Sequence, residues 1–511
     1  MSPRKRPFDM LATQPLTDDE LITWRHCPRR HWLERHASAG CAAPASAIDA
    51  HGTRAALKAT WPSAHYLPPP QTDEEWLDAV HLTQAWLHSG ELLEGEGHAL
   101  LGACVASKEG ARARIDVLSS GDRGLRLGRL RLATAGHDDD IDLLAWWTHV
   151  AAHAGVRVQG MHLMLIEQDF VYPGHGCMAG VFREVDVSPV LGTRDVPAWM
   201  VGMRQSLRGP QPGLPDKLEC LRLSEHEAPC PHLSHCGLSQ RVRDGLAPDA
   251  LEVMGREMAD VLRAMGYREL LDVPEAMLPD ARRRRAWRAI LADRPIIEPE
   301  VAAKIRALPR PWRLLRLDTI GHALPIWAGT RPYQVIPFHW ACDLVEGPEA
   351  MDHAPIHHHL AQGTGDPRRT LALSLLKVLG TQGTVFAYNA GFERNRLLEL
   401  ARHLPDLAGP LEALLPRIID LFQVLRAHAY HPAMRGSWSF RSVTRALAPE
   451  VQIQRFEPPH TTPAEVFAHS MQDRLSASDV KRLREALLLH GRQELAALRA
   501  ILRRLVQADR R

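Results

Sequence analysis

The sequence predicts an α/β protein of two or three domains, and three observations predict it. The chain has 511 residues, more than one hydrophobic core usually serves. Runs with the alternation of strands occur at Arg114 to Leu118, Leu125 to Leu132 and from Leu314 onward. A helical stripe of Val480, Leu483, Leu487, Leu498, Ile501 and Leu505 occupies Ala477 to Val506.

Composition narrows the function classes. The formal net charge of +2 gives no global electrostatic case for nucleic acid, so any such surface must be a local patch. Met1 to Gln14 has basic residues but no apolar leader core, and no apolar run is long enough to cross a membrane. A cytoplasmic protein is expected. In a reducing compartment its eight cysteines are candidates for metal binding or burial rather than disulfides.

In chain order, Thr17 and Glu20 have capping-box spacing and open a helix carrying Cys27 beside Arg29, Arg30 and Arg35. Asp116 lies on the first strand run. After the turn SSGDRG, the second run sets Arg129 and Arg131 on one face and leucines on the other. The acidic run Asp138, Asp139, Asp140 and Asp142, after His137, offers either metal ligands after local rearrangement or, the reading favoured, a solvated helix start supported by the helix dipole. The helix that follows carries Trp146 and Trp147, which suit packing. Strand character surrounds Leu163, Leu165, Phe170 and Tyr172. Cys220, Cys230 and Cys236 gather with His232 and His235 near the end of this region.

Leu251 to Tyr267 reads as a helix stopped at Gly266. Arg282 to Arg285, with Trp287 and Arg288, forms the strongest basic cluster, suited either to phosphates and base stacking or to a solvated face. Arg316 and Asp318 are two residues apart on a strand and share a face; an ion pair between them is expected. Glu393 opens a helix after the strand Thr384 to Tyr388, and Asp420 ends the run Arg417 to Asp420. His490 and Glu494 fall on the stripe of the last helix, where a carboxylate needs a cation, a proton or a hydrogen-bond partner. The histidines His353, His357, His358 and His359 read as a surface loop.

The runs LDTIG, GTRPYQVIPFHW, DPRRT, VFAYNAGFERNRL, RIIDLFQV and HPAMRGSWSFRSV, in that order, resemble the C-terminal domain of a bacterial family called domain of unknown function 2779. That domain is similar to DnaQ-type exonucleases of the RNase H-like class. The cysteine-proline-basic start and the later cysteines resemble RecB-like, PD-(D/E)XK-type nucleases bearing an iron-sulphur cluster. The resemblance implies a RecB-like restriction-endonuclease-type α/β domain over 1–240, a helical connector over 241–308 and a DnaQ/RNase H-like α/β domain over 309–511.

It also implies site residues. Asp318, Glu393 and Glu494 would be metal-ligand acids for Mg2+ or Mn2+, His490 would stand where the family has a tyrosine, and Asp116 would be the N-terminal ligand. Cys27, Cys230 and Cys236 match three cluster positions, the fourth falls on Ser224, and Cys220 is the nearest substitute. Either a cluster or zinc is held there, or the cysteines are packed remnants. The departures matter most: Arg316 stands for the first acid, and Arg129-Leu130-Arg131 for Glu-Val-Lys. A positive charge at a ligand position repels the ion it should hold. The expected function is therefore a nucleic-acid-binding protein of two nuclease folds whose activity is lost or much reduced, a pseudo-nuclease scaffold or regulator. The alternatives are an active 3′–5′ exonuclease using the C-terminal acids, and a protein-interaction module.

Overall fold

The computed structural model describes residues 14–36, 52–90, 97–121, 124–214, 230–232, 235–236, 250–353, 355–456, 461–472 and 475–510. The chain forms two compact units, Met1–Arg243 with His322–Gln334, and Asp244–Gly321 with Val335–Arg511.

The first unit is built on a six-stranded sheet in sequential order: β1 (His65–Tyr66), β2 (Ala99–Ala106), β3 (Arg112–Gly121), β4 (Gly124–Arg131), β5 (Val158–Ile166) and β6 (Phe182–Asp186). β1 with β2 and β4 with β5 are parallel; the other neighbours are antiparallel. The alternation read at Leu125 to Leu132 does not separate leucines from arginines: Leu127 is buried in the core under the helix Asp138–His153 and Leu130 in the core of the opposite face, so with a period of two Arg129 and Arg131 share the face of Leu127. The helix Asp138–His153 covers one face, where Trp146 and Trp147 are fully buried among Leu118, Leu127, Leu163 and Leu165. Phe170 and Tyr172, expected on a strand, lie instead in the irregular stretch between β5 and β6. Backbone groups of Tyr172 pair there with Gly329 and Thr330, and Leu324 packs on Ala56, Ile166 and Val181.

The N-terminal helix differs from expectation in one respect. The Thr17–Glu20 capping box forms, but the helix ends at His26 and a second one, Pro28–His36, follows. Pro28 cannot donate to the preceding turn, so Cys27 is thrown into extended geometry, with φ −153° and ψ 96°, as the cap between two helices.

The second unit has a short β7 (Ile296–Ile297) paired with Ala429–Tyr430 and is centred on a five-stranded sheet of order β10–β9–β8–β11–β12, with β8 (Trp312–Ile320), β9 (Ile336–Val345), β10 (Ile356–Leu360), β11 (Thr384–Ala387) and β12 (Ile418–Asp420). β8, β9 and β10 are antiparallel, while β11 and β12 run parallel to β8. The period of two divides β8 between two cores. Leu315 and Leu317 join Leu371, Leu375 and Leu397 on one face. Trp312 and Leu314 join Leu495, Leu498 and Leu502 of the helix Ala477–Val506 on the other. Arg316 and Asp318 continue this second face.

Two local readings change. The histidines His357 to His359 are on the edge strand β10 and not in a loop; their register against Cys342, Ala341 and Trp340 of β9 holds them extended. The stretch from Leu251 is a 3₁₀ turn to Met254 and then a helix, Arg256–Ala264, because Gly255 adopts φ 93°. Among the described residues no helix is long and apolar enough to cross a membrane.

Candidate functional site

The C-terminal end of β8 is where the core face of the second unit turns polar. Above Leu314 the next same-face residues are Arg316 and Asp318. Opposite them, the C-terminal helix replaces Leu498 and Leu495 with Glu494, Gly491 and His490 one turn back. The facing charges meet. Arg316 donates from Nε to Glu494 Oε2 at 3.0 Å and its Nη2 lies 3.0 Å from the same oxygen, with side chains 18% and 12% exposed. Its guanidinium also stacks over the Phe440 ring at 4.7 Å.

Asp318 does not pair with Arg316 as the sequence suggested. It accepts a hydrogen bond from Nδ1 of His339 at 2.7 Å, because His339 is its direct cross-strand partner on β9. The arginine side chain is long enough to reach past its neighbour to the helix, whereas the aspartate is held by the strand beside it. His339 is buried, and Gly491 makes room for it: a Cβ on Gly491 would lie 2.5 Å from His339 Cε1. His490 Nε2 is 3.6 Å from Glu494 Oε1. One ligand atom each of Asp318, His490 and Glu494 lie within 4.8 Å of one another.

Electrostatics follow from this geometry. Burial pulls the Arg316 guanidinium down, but the carboxylates of Glu494, Glu393 and Asp318 outweigh it and hold it above its ordinary value. Burial also works against the Asp318 charge, and the His339 hydrogen bond overcomes it to leave the carboxyl below the usual range. Glu393, in the first turn of the helix Gly391–His403, is pushed by burial up to about 7 against the pull of Arg316. Its Oε2 is buried without a hydrogen bond among the described residues. Asp420 has a structural role: Oδ1 accepts from the amides of Asn389 and Phe422, both at 3.0 Å, capping the helix Leu421–His428 and fixing Asn389 at φ 63°.

The guanidinium of Arg316 opposes a divalent cation at this donor set. Arg316 occupies Glu494 Oε2 and leaves Oε1 facing His490 at 3.6 Å, so a cation held by Asp318, His490 and Glu494 would lie beside a fixed positive charge.

Residues 314–439 match the family described as a domain of unknown function (DUF2779). No curated protein matches the chain. The DUF2779 segment contains Arg316, Asp318, His339, Glu393 and Asp420, and ends before the helix that supplies His490, Gly491 and Glu494.

The rim of this site is basic. Arg441 and Arg445 are one turn apart on the helix Phe440–Leu447. The segment bearing Arg455 is tied to the C-terminal helix by Gln454 N donating to Gln493 Oε1 at 2.9 Å and by Phe456 against His490, ring centres 5.0 Å apart. Burial, then repulsion from Arg455 and Arg445, lowers Arg441 below its ordinary value, and Glu494 opposes the shift. By contrast, the cluster singled out in the sequence is largely engaged. Arg285 donates to Glu298 at 2.6 Å, Arg288 to Glu275 at 2.6 Å, Arg284 to the Leu278 carbonyl at 2.8 Å and Arg283 to the Met254 carbonyl at 2.8 Å.

In the first unit the geometry repeats itself. Asp116, 1% exposed, accepts from Arg129 Nη1 at 2.8 Å and from the Leu130 amide at 3.0 Å. Arg129 Nε also reaches Asp140 at 3.4 Å, and Arg131 Nη1 donates to the same carboxylate at 3.1 Å. The acidic run does start a helix, with a His137–Asp140 capping box, but it is not a solvated start. Asp140 and Asp142 are buried, the latter between Arg25 and Arg194 at 3.0 and 2.9 Å. Asp140 is met by arginines of the preceding strand and Asp142 by arginines of distant segments, pairings that depend on how strand and helices pack. Burial pulls Arg129 down, and Asp116 with Asp140 more than restores it.

Cys27, Cys230 and Cys236 are brought together although about 200 residues separate them in sequence. Burial is the main cause that raises the Cys230 thiol; the neighbouring Cys27 and Cys236 add to it and the His232 amide opposes it. The Arg30 amide donates to Cys27 Sγ at 3.3 Å. Cys220 and Ser224 lie outside the described residues.

Proposed function

We propose that the protein is a nucleic-acid-binding scaffold of two nuclease-like folds, RecB-like and RNase H-like, in which arginines stand where catalytic cations would. The observation that carries this reading is the Arg316–Glu494 pair. The guanidinium pairs with Glu494 and lies in the field of Glu393 and Asp318, offsetting their charge as a metal would but offering no Lewis acid and no bound water. Arg129 between Asp116 and Asp140 is an independent second instance, which makes a chance substitution a poor account.

Binding is supported at the rim of the C-terminal site. Arg441, Arg445 and Arg455 crowd like charges together without an ion pair among the described residues. Phe440 and Phe456 lie beside them. Backbone phosphates relieve that repulsion, and aromatic faces accept unstacked bases. The cysteine triad provides thiolates suited to an iron-sulphur cluster or zinc, whose contribution would be to clasp the two ends of the first unit. The rival reading, a 3′–5′ exonuclease, rests on Asp318, His490 and Glu494 converging; the Arg316–Glu494 ion pair weighs against it.

The test is fluorescence polarisation with labelled single-stranded DNA, duplex DNA and RNA over a salt series, beside cleavage assays with Mg2+ and Mn2+. Salt-dependent binding without cleavage is expected. Metal-dependent cleavage lost in Glu494→Gln would establish the exonuclease instead. No binding at low salt would leave the protein-interaction reading.

A further inference from the structure

A third polar cluster lies in the first unit, apart from Asp116 and from the cysteines. The helix Asp138–His153 carries His149 and His153 one turn apart, so both rings project from one face; their centres are 4.1 Å apart. Glu109, in the turn between β2 and β3, reaches them with one oxygen each. Oε2 is 3.3 Å from His149 Nε2, and Oε1 is 3.5 Å from His153 Nε2.

The cluster is held in place on both sides. His153 Nδ1 lies 2.8 Å from the His149 carbonyl. A carbonyl only accepts, so a ring proton sits on Nδ1 and Nε2 is the nitrogen turned toward Glu109. This is the arrangement that orients a metal-binding imidazole. The turn carrying Glu109 is fixed by Leu16 N donating to the Gly110 carbonyl at 2.9 Å and by Gly110 N donating to the Ser107 carbonyl at 3.1 Å. Arg204 donates to the Glu109 carbonyl as well.

The contacts are longer than tight ion pairs and leave room for a metal. A charge-assisted N–H···O bond closes to about 2.7–2.9 Å, and both contacts here are longer. One ligand atom from each of the three residues lies within 4.8 Å of the others, and a small side-chain movement brings them to the separation of about 3.4 Å that tetrahedral zinc with bonds of about 2.0–2.1 Å requires. Glu109 and His153 are 48% and 43% exposed, so a hydrated ion can enter.

We propose that Glu109, His149 and His153 form a zinc-class divalent metal site with a fourth position open to solvent, clipping the β2–β3 turn to the helix that buries Trp146 and Trp147. The proposal does not rest on the nucleic-acid reading.

The experiment uses tag-free, full-length, metal-stripped protein and the conservative surface variants Glu109→Gln and His153→Ala, with folding checked by circular dichroism. Zinc is titrated calorimetrically and counted by atomic emission, and Co2+ is used as a spectroscopic probe. Wild type is expected to bind one more zinc equivalent than either variant, whose affinity for it falls at least ~100-fold. The lost equivalent should show cobalt d–d bands without thiolate charge transfer, which separates it from any site at Cys27, Cys230 and Cys236. Equal zinc content in all three proteins would overturn the proposal, as would a lost equivalent with a thiolate signature.

Discussion

Replacing Arg316 with alanine leaves Glu494, Glu393 and Asp318 facing one another with their shared cation removed. Both side chains of the Arg316–Glu494 pair are less than a fifth exposed, and removing one partner of a buried pair costs about 3–5 kcal/mol. Residual solvent access argues for the lower end, about 3 kcal/mol. In a unit of about 250 residues each kcal/mol moves Tm by roughly 2–4 °C, so a loss of about 6–12 °C is expected. If the guanidinium stands in for a metal, the vacated carboxylates should take one up. Millimolar Mn2+ should then return part of the loss, by about 2.7 kcal/mol at a hundredfold excess over Kd, and Arg316→Asp should show a larger Mn2+ response than Arg316→Ala. The assay is thermal unfolding by differential scanning fluorimetry with and without Mn2+, beside wild type. A variant as stable as wild type, or one whose Tm ignores Mn2+ while wild type behaves the same, refutes the idea that arginine replaces the cation.

Three further outcomes are expected. Gly491→Ala should destabilise by about 1–3 kcal/mol, although alanine is the better helix former by about 1 kcal/mol, because its Cβ meets the His339 ring; a raised urea midpoint would show that the helix spacing is not set by this contact. His31 is fully buried and burial lowers it to about 4, so the native state refuses a proton that the unfolded chain accepts near 6.5. Stability should be complete above pH 6.5 and fall by up to about 3 kcal/mol as pH drops to 4, a slope that His31→Met should remove; an unchanged slope in that variant sinks the assignment. Arg441→Ala and Arg455→Ala should each weaken nucleic-acid binding at every sequence and reduce the salt slope by about 1, and unchanged slopes in polarisation titrations would move the binding surface elsewhere.

The sequence by itself determined the α/β class, the strands bearing Asp116, Arg129, Arg316 and Asp318, the capping box at Thr17 and the long final helix. These depend on periods of 2 and 3.6 and on local caps, which neighbouring residues fix. It also showed that arginines occupy positions where the resemblance implies acids. What those arginines touch was decided by tertiary structure alone. Arg316 is beside Asp318 in sequence, yet the β8–β9 register gives Asp318 to His339 and leaves Arg316 to Glu494, 178 residues away. Gly491 has no signal in the chain, since its role exists only where the helix crosses His339. The acidic run from Asp138 reads as surface because carboxylates at a helix start usually are; Arg25, Arg129 and Arg194 reach it from other elements and allow Asp140 and Asp142 to be buried. Charges are placed by local sequence, but their partners, and hence whether a carboxylate holds a metal, an arginine or a histidine, depend on how the sheet and helices pack.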